Sequence, residues 1–98
     1  MKTYTTYILK CSDDTYYVGF TSNIDKRVIE HNTSRFENSY TSTRLPVELV
    51  YTEHFQYPNN GIKREKQIKR WSKAKKIALI NGEYDELTPL AKKKFKKP

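Results

Sequence analysis

At 98 residues the chain fits a single domain with one core, and its formal net charge of +8 marks it as a partner for a polyanion rather than for another basic surface. One cysteine, Cys11, excludes an internal disulfide, and no Cys/His spacing suits a zinc knuckle. No apolar run approaches the ~20 residues that cross a bilayer, and the start Met-Lys-Thr-Tyr lacks a secretory segment, so the expected setting is the cytoplasm with no membrane partner.

In chain order, Thr3 to Lys10 and Thr15 to Phe20 are rich in Tyr, Thr and Ile and read as two strands, joined through the turn formers Cys11-Ser12-Asp13-Asp14. An odd loop would put Tyr7, Leu9, Tyr17 and Gly19 on one face of the hairpin; an even loop would split the tyrosines. Ser22 and Asp25 make an S-x-x-D capping pattern, predicting a helix from Ser22 that carries Ile24, Arg27, Val28 and His31 on one stripe. Asn32 to Pro46 is polar and reads as a long loop, whose Arg35, Tyr40 and Arg44 are candidate phosphate or base contacts. A third strand over Val47 to Phe55 alternates Val47, Leu49 and Tyr51 on one side with Glu48, Val50 and Thr52 on the other. Pro58-Asn59-Asn60-Gly61 reads as a break. A helix from Ile62 then puts Ile62, Glu65, Ile68 and Lys69 on one side, Ser72 caps a further helix stopped at Asn81-Gly82, and a short last helix is expected around Asp85 to Phe95.

The expected fold is therefore α+β, a three-stranded antiparallel sheet flanked by helices in the order β-β-α-β-α-α with a short C-terminal helix. It divides into a domain over residues 1–91 and a basic tail over 92–98. Charge is uneven: eight Lys or Arg residues against one acid lie between Lys63 and Lys76, and five lysines surround Phe95 in the tail. Eight tyrosines in the same chain turn that balance toward nucleic acid, because aromatic rings stack on bases while cations neutralise phosphates. From this block Lys63, Lys66, Lys69 and Arg70 are candidate contacts.

Two tyrosines, Tyr7 and Tyr17, precede Arg27 and His31 one helical turn apart, and Glu65 lies on the apolar side of a basic helix. Phosphodiester hydrolysis needs an aligned water, a base, and positive charge where the phosphate gathers negative charge. A single carboxylate with waters and a substrate phosphate is a normal Mg²⁺ arrangement, which makes Glu65 the candidate metal ligand for Mg²⁺ or Mn²⁺. Tyr7 is a base only if its proton is drawn off or relayed, since a phenol titrates near 10; His31, with an ordinary pKa around 6.5, is the other candidate. Each group also has a structural reading. The tyrosines are ordinary strand residues, Arg27 a solvated helix residue, His31 a helix-end residue on the C-terminal dipole, His54 a surface residue, and Glu65 a partner for Lys69 four residues on.

The runs TTYILKCSDDTYYVGFTSNIDKRVIEHN, LPVELVYTEHF and KREKQIKRWSKAKKIALI resemble the GIY-YIG endonuclease superfamily, closest to its small standalone bacterial members and related to the nuclease domain of the bacterial repair excinuclease. Thr5-Thr6-Tyr7 stands for the first signature and Tyr17-Val18-Gly19 for the second. The resemblance implies a Mg²⁺-dependent endonuclease acting on DNA, in repair or processing. Tyr7 would be general base or relay, Tyr17 would orient water or phosphate, and Arg27 would stabilise the transition state. A family asparagine that helps organise the site has no assigned equivalent here, since Asn81 sits in a helix stop. The alternative is a non-catalytic module that holds DNA or RNA in the same basic groove.

Overall fold

The computed structural model describes residues 2–33 and 40–83. The strands β1 (Tyr4–Lys10) and β2 (Tyr16–Thr21) are followed by α1 (Ile24–Asn32), a 3₁₀ turn (Tyr40–Thr43), β3 (Glu48–Phe55), α2 (Pro58–Lys69) and α3 (Lys73–Ile80). The three strands form one antiparallel sheet in the order β2-β1-β3, the predicted α+β arrangement. The expected last helix over Asp85 to Phe95 and the tail 92–98 lie outside the described residues.

The hairpin loop is odd in length and closes tightly. The Cys11 N–H donates to the Thr15 carbonyl at 2.8 Å and the Asp14 N–H to that of Cys11 at 3.0 Å, while Asp14 takes the left-handed region at φ +64°, which a short polar side chain tolerates. Asp13 Oδ1 accepts from both the Thr15 N–H and its hydroxyl. This sets the register: Tyr7 faces Gly19 and Leu9 faces Tyr17 across the ladder, so the two tyrosines share a sheet face. Central β1 is buried on both sides. Tyr7, Leu9 and Cys11 pack with Val47, Ile24 and Val28 beneath α1, and Ile8 packs with Val18, Ile68, Ala78 and Leu79 beneath α2 and α3.

Three sequence expectations are corrected. The cap of α1 is Asn23, whose side chain accepts from the Lys26 N–H at 3.1 Å, one residue later than the expected Ser22. Thr21 causes the delay, because its hydroxyl oxygen takes the Asn23 N–H at 3.0 Å and holds Ser22 in the turn leaving β2. In β3 a register shift opposite Ile8 and Leu9 pairs Ile8 with Tyr51 and Leu9 with Leu49, leaving Val50 as an extra residue. The simple alternation is thereby broken: Val47 packs under α1, Val50 and Tyr51 pack on the other face, and Leu49 is exposed. Finally, Pro58 to Gly61 is the first turn of α2 rather than a break. Proline suits the first helical position, where its missing N–H costs no bond.

The stretch read as a continuous loop contains the 3₁₀ turn, and Asn32 fastens its far end. Its side chain donates to the Val47 carbonyl at 3.1 Å and accepts the Val47 N–H at 2.8 Å. The start and stop expected for α3 are both found. Ser72 accepts from the Lys75 N–H, and at the other end Gly82 (φ +75°) donates to Leu79 while Glu83 donates to Ala78, a Schellman closure. Among the described residues no helix is long and apolar enough to cross a membrane.

Candidate active site

Tyr7 is fully buried, and its ring lies directly over Gly19; a Cβ at position 19 would overlap the Tyr7 Cζ and hydroxyl oxygen. The absent side chain on β2 is what lets the phenol reach across the sheet toward α1. There it meets His31, which one turn after Arg27 is 2% exposed. The Tyr7 hydroxyl lies 3.3 Å from His31 Nε2, and His31 Nδ1 lies 2.7 Å from the Thr41 hydroxyl on the 3₁₀ turn. Tyr17 joins this group, with its ring centroid 5.2 Å from His31 and 6.4 Å from Tyr7, and Tyr40 stacks on its outer side at 6.3 Å. His31 does lie in the last turn of α1, as its helix-end reading has it, but it is buried against the two tyrosines. His54 is exposed, as expected, with Nδ1 3.0 Å from the Thr5 hydroxyl.

Burial dominates the electrostatics. The Tyr7 phenol is pushed well above its usual range by desolvation and then by the neighbouring Tyr17; the Arg27 charge and hydrogen bond oppose this, and Glu65 adds a small upward push. At neutral pH Tyr7 keeps its proton. His31 is displaced downward, first by burial and then by the charge of Arg27, against a weaker pull from Glu30, so it stays neutral. A protonated phenol thus touches a neutral imidazole with a guanidinium beside it. Arg27 Nε also lies 3.6 Å from Glu30, and a polar pocket of about 330 Å³ opens next to it between Thr21, Asn23 and Lys26.

Glu65 comes from α2, on the sheet face opposite α1, yet its charge is felt at the Tyr7 hydroxyl. Its side chain is 19% exposed and pairs with Lys69 Nζ at 3.0 Å, the structural partnership that the four-residue spacing allowed. Among the described residues no three His, Cys, Asp or Glu side chains gather, so Glu65 offers one hard oxygen ligand group. That donor set fits Mg²⁺ or Mn²⁺, which keep most of their waters beside one or two carboxylates.

The other candidates divide. Lys63 and Lys66 on α2 and Arg70 at its C-cap are exposed, whereas Lys69 is engaged by Glu65. Arg44 is committed within the fold: it bonds Asp13 at 3.0 Å and the Tyr40 carbonyl at 2.7 Å, and its guanidinium lies 3.9 Å over the Tyr40 ring. It ties the 3₁₀ turn to the hairpin. Arg35 lies outside the described residues. Asn81 is the C-cap of α3. Thr41 was missed in the sequence, because a hydroxyl in a polar Ser/Thr stretch carries no periodic signal.

Comparison with known proteins bears on this geometry. The GIY-YIG catalytic domain, a nuclease family, matches residues 3–78. A UPF0213 protein of Syntrophus aciditrophicus is 49% identical over 74 residues, 76% of this chain and 85% of that one. A UPF0213 protein of Natronomonas pharaonis is 44% identical over 77 residues, 79% and 89% of the two chains. The solution structure of a UPF0213 protein from Bacillus halodurans superposes with a TM-score of 0.53 at 33% identity, covering 90% of this chain and 96% of that one. With its strand order, its paired tyrosines and a family match over most of its length, the chain belongs to the GIY-YIG catalytic domain family, among small proteins of the UPF0213 kind.

Proposed function

We propose that the protein is an endonuclease that hydrolyses DNA phosphodiester bonds by direct attack of water, with Mg²⁺ or Mn²⁺ held at Glu65, in DNA repair or processing. The observation that carries this reading is the buried contact of Tyr7 with His31 beside Arg27. Water attacks in line with the 3′ oxygen and loses a proton to the Tyr7 oxygen as the Tyr7 proton passes to His31 Nε2. The raised phenol pKa makes this relay the better description than a free phenolate base. Arg27 sets fixed positive charge where the phosphate gathers negative charge, and Tyr17 orients the water or the phosphate. When bound, the divalent ion supplies Lewis-acid charge at the phosphate and the departing oxygen. The 3′ oxygen departs with the electron pair of the broken P–O bond and takes a proton from solvent, so the products are 5′-phosphate and 3′-hydroxyl ends.

Incubation with supercoiled, single-stranded and branched DNA in Mg²⁺ tests this. The wild type nicks at least one substrate and Glu65→Ala abolishes cutting while leaving the melting transition in place; cutting that persists in the variant overturns the ligand assignment. The Glu65–Lys69 pair favours a second reading, a non-catalytic module that holds DNA or RNA, because it shows the carboxylate satisfied by the protein's own cation. Binding that survives EDTA, with none of those substrates cut, identifies that case.

A further inference from the structure

We propose that Tyr40, with the Arg44 guanidinium over its ring, is a platform on which an unpaired base of a DNA strand stacks, beside the cluster of Tyr7, Tyr17 and His31. The proposal rests on the nucleic-acid partner that both readings above share. It adds the form of that partner, a strand with unstacked bases.

Two tyrosines among the described residues are exposed, and they are held differently. Tyr57 is 62% exposed at the N-cap of α2, makes no cap bond through its side chain and has no ring partner among the described residues. Tyr40 is 41% exposed although its ring is set by two contacts: it stacks on Tyr17 at 6.3 Å with 26° between the planes, and Arg44 Cζ lies 3.9 Å over it. Arg44 is itself tied, donating to Asp13 at 3.0 Å, to the Tyr40 carbonyl at 2.7 Å and to the Thr43 hydroxyl at 3.2 Å, while its own carbonyl accepts the Ser12 N–H at 2.9 Å. An exposed ring that is already oriented loses little freedom when a ligand lies on it; a ring without neighbours, such as that of Tyr57, loses more.

The chemistry selects a base over a phosphate. The Arg44 charge is met by Asp13, so an incoming phosphate would compete with a carboxylate already in place. The ring and the guanidinium plane offer flat, polarisable surface instead, on which bases of any sequence stack. Bases inside a duplex have both faces covered by their neighbours, so the platform suits a single-stranded, frayed or everted base. Its place follows from continuity. Tyr17 lies between Tyr40 and His31, with its ring centroid 5.2 Å from the imidazole, so a strand whose phosphate rests against Tyr17 brings a neighbouring base to Tyr40.

Fluorescence anisotropy of labelled oligo(dT) and of a blunt-ended duplex, in EDTA so that nothing is cut, tests the platform and leaves the nuclease reading to be judged separately. Tyr40→Ala is expected to weaken oligo(dT) binding about 5- to 150-fold, to keep the salt slope and to leave duplex affinity unchanged. Tyr40→Phe should bind as the wild type does, and Tyr57→Ala should change neither affinity. Because Tyr40 also packs on Tyr17, Tyr40→Leu separates stacking from packing: it fills the site without a π-face and should lose oligo(dT) affinity as the alanine variant does. In the wild type, the Tyr40 ring-proton resonances should move upfield as oligo(dT) is added, under the ring current of the stacked base. Absence of oligo(dT) binding by the wild type, affinity unmoved in Tyr40→Ala, an equal loss on the duplex or in Tyr57→Ala, or Tyr40 resonances that stay in place each overturn the proposal. Should Tyr40→Ala not fold, Tyr40→Leu and the wild-type spectra decide.

Discussion

Tyr7 and His31 are held with opposite departures from their ordinary acidities, one pushed up and one pushed down, and in the proposed relay both would serve the same proton path. Burial keeps the phenol protonated and the imidazole neutral. If the proposed nuclease reading holds, the base-competent form of His31 is the neutral one, so cleavage should fall where the imidazole charges, below its ordinary value of about 6.5. The expected profile of kcat/KM is level across neutral pH, with an acid limb below about 6.5; a limb at or above that value would contradict the assignment. Stability carries the same sign. Because the folded pKa of His31 is depressed, its contribution is present above the unfolded value and lost as pH falls through the folded one, so the melting temperature should begin to decline below about 6.5. Much of this site was legible in the sequence. Tyr7, Tyr17, Arg27 and His31 follow a strand register and a helical turn, which are regular and can be counted. Thr41 obeys neither period, and its partner lies ten residues back across a polar stretch with no pattern to connect them.

Helix and strand boundaries were less legible, because single hydroxyl and amide contacts decide them. At the start of α1 the S-x-x-D pattern points to Ser22, but a hydroxyl from the preceding strand, Thr21, competes for the same backbone and moves the cap to Asn23. The two assignments predict different mutants. Asn23→Ala should lower unfolding stability by about 1 kcal/mol, read from urea denaturation at constant slope, whereas Ser22→Ala should leave the midpoint nearly unchanged. Equal losses, or a larger loss at Ser22, would return the cap to Ser22. The β3 register was hidden for a similar reason. Alternation assumes one residue per rung, and the extra Val50 reassigns Tyr51 to the opposite layer, where its hydroxyl bonds Glu53 at 2.5 Å and Glu53 in turn pairs with Arg64 of α2 at 3.0 Å. At α2, Pro58 and Gly61 read as breakers, yet one is harmless at the first helical position. The other is demanded by close packing: a Cβ on Gly61 would overlap the Phe20 ring, and its carbonyl accepts the Thr6 hydroxyl at 2.7 Å.

For the molecule as a whole, the formal charge of +8 argues for a long-range attraction to phosphate backbones whichever functional reading holds. Lys63, Lys66 and Arg70 recur at helical spacing along the outside of α2 and its C-cap and are exposed, while Lys69 and Arg44 spend their charge on Glu65 and Asp13. The exposed set is therefore expected to meet phosphate and the engaged pair to matter chiefly for structure. Affinity for duplex DNA, measured in EDTA to separate binding from cutting, should fall linearly with the logarithm of salt, each neutralised phosphate contributing a slope of about −0.9. Replacing both Lys63 and Lys66 with alanine should flatten that slope by about 2 and weaken binding to all sequences alike, since contacts to the backbone carry no base information. Arg44→Ala should instead lower the melting temperature and leave the salt slope nearly intact, because its guanidinium already holds the hairpin turn against the 3₁₀ turn. A slope insensitive to the α2 lysines but sensitive to Arg44 would move the DNA path off α2 and onto the face that carries Tyr40.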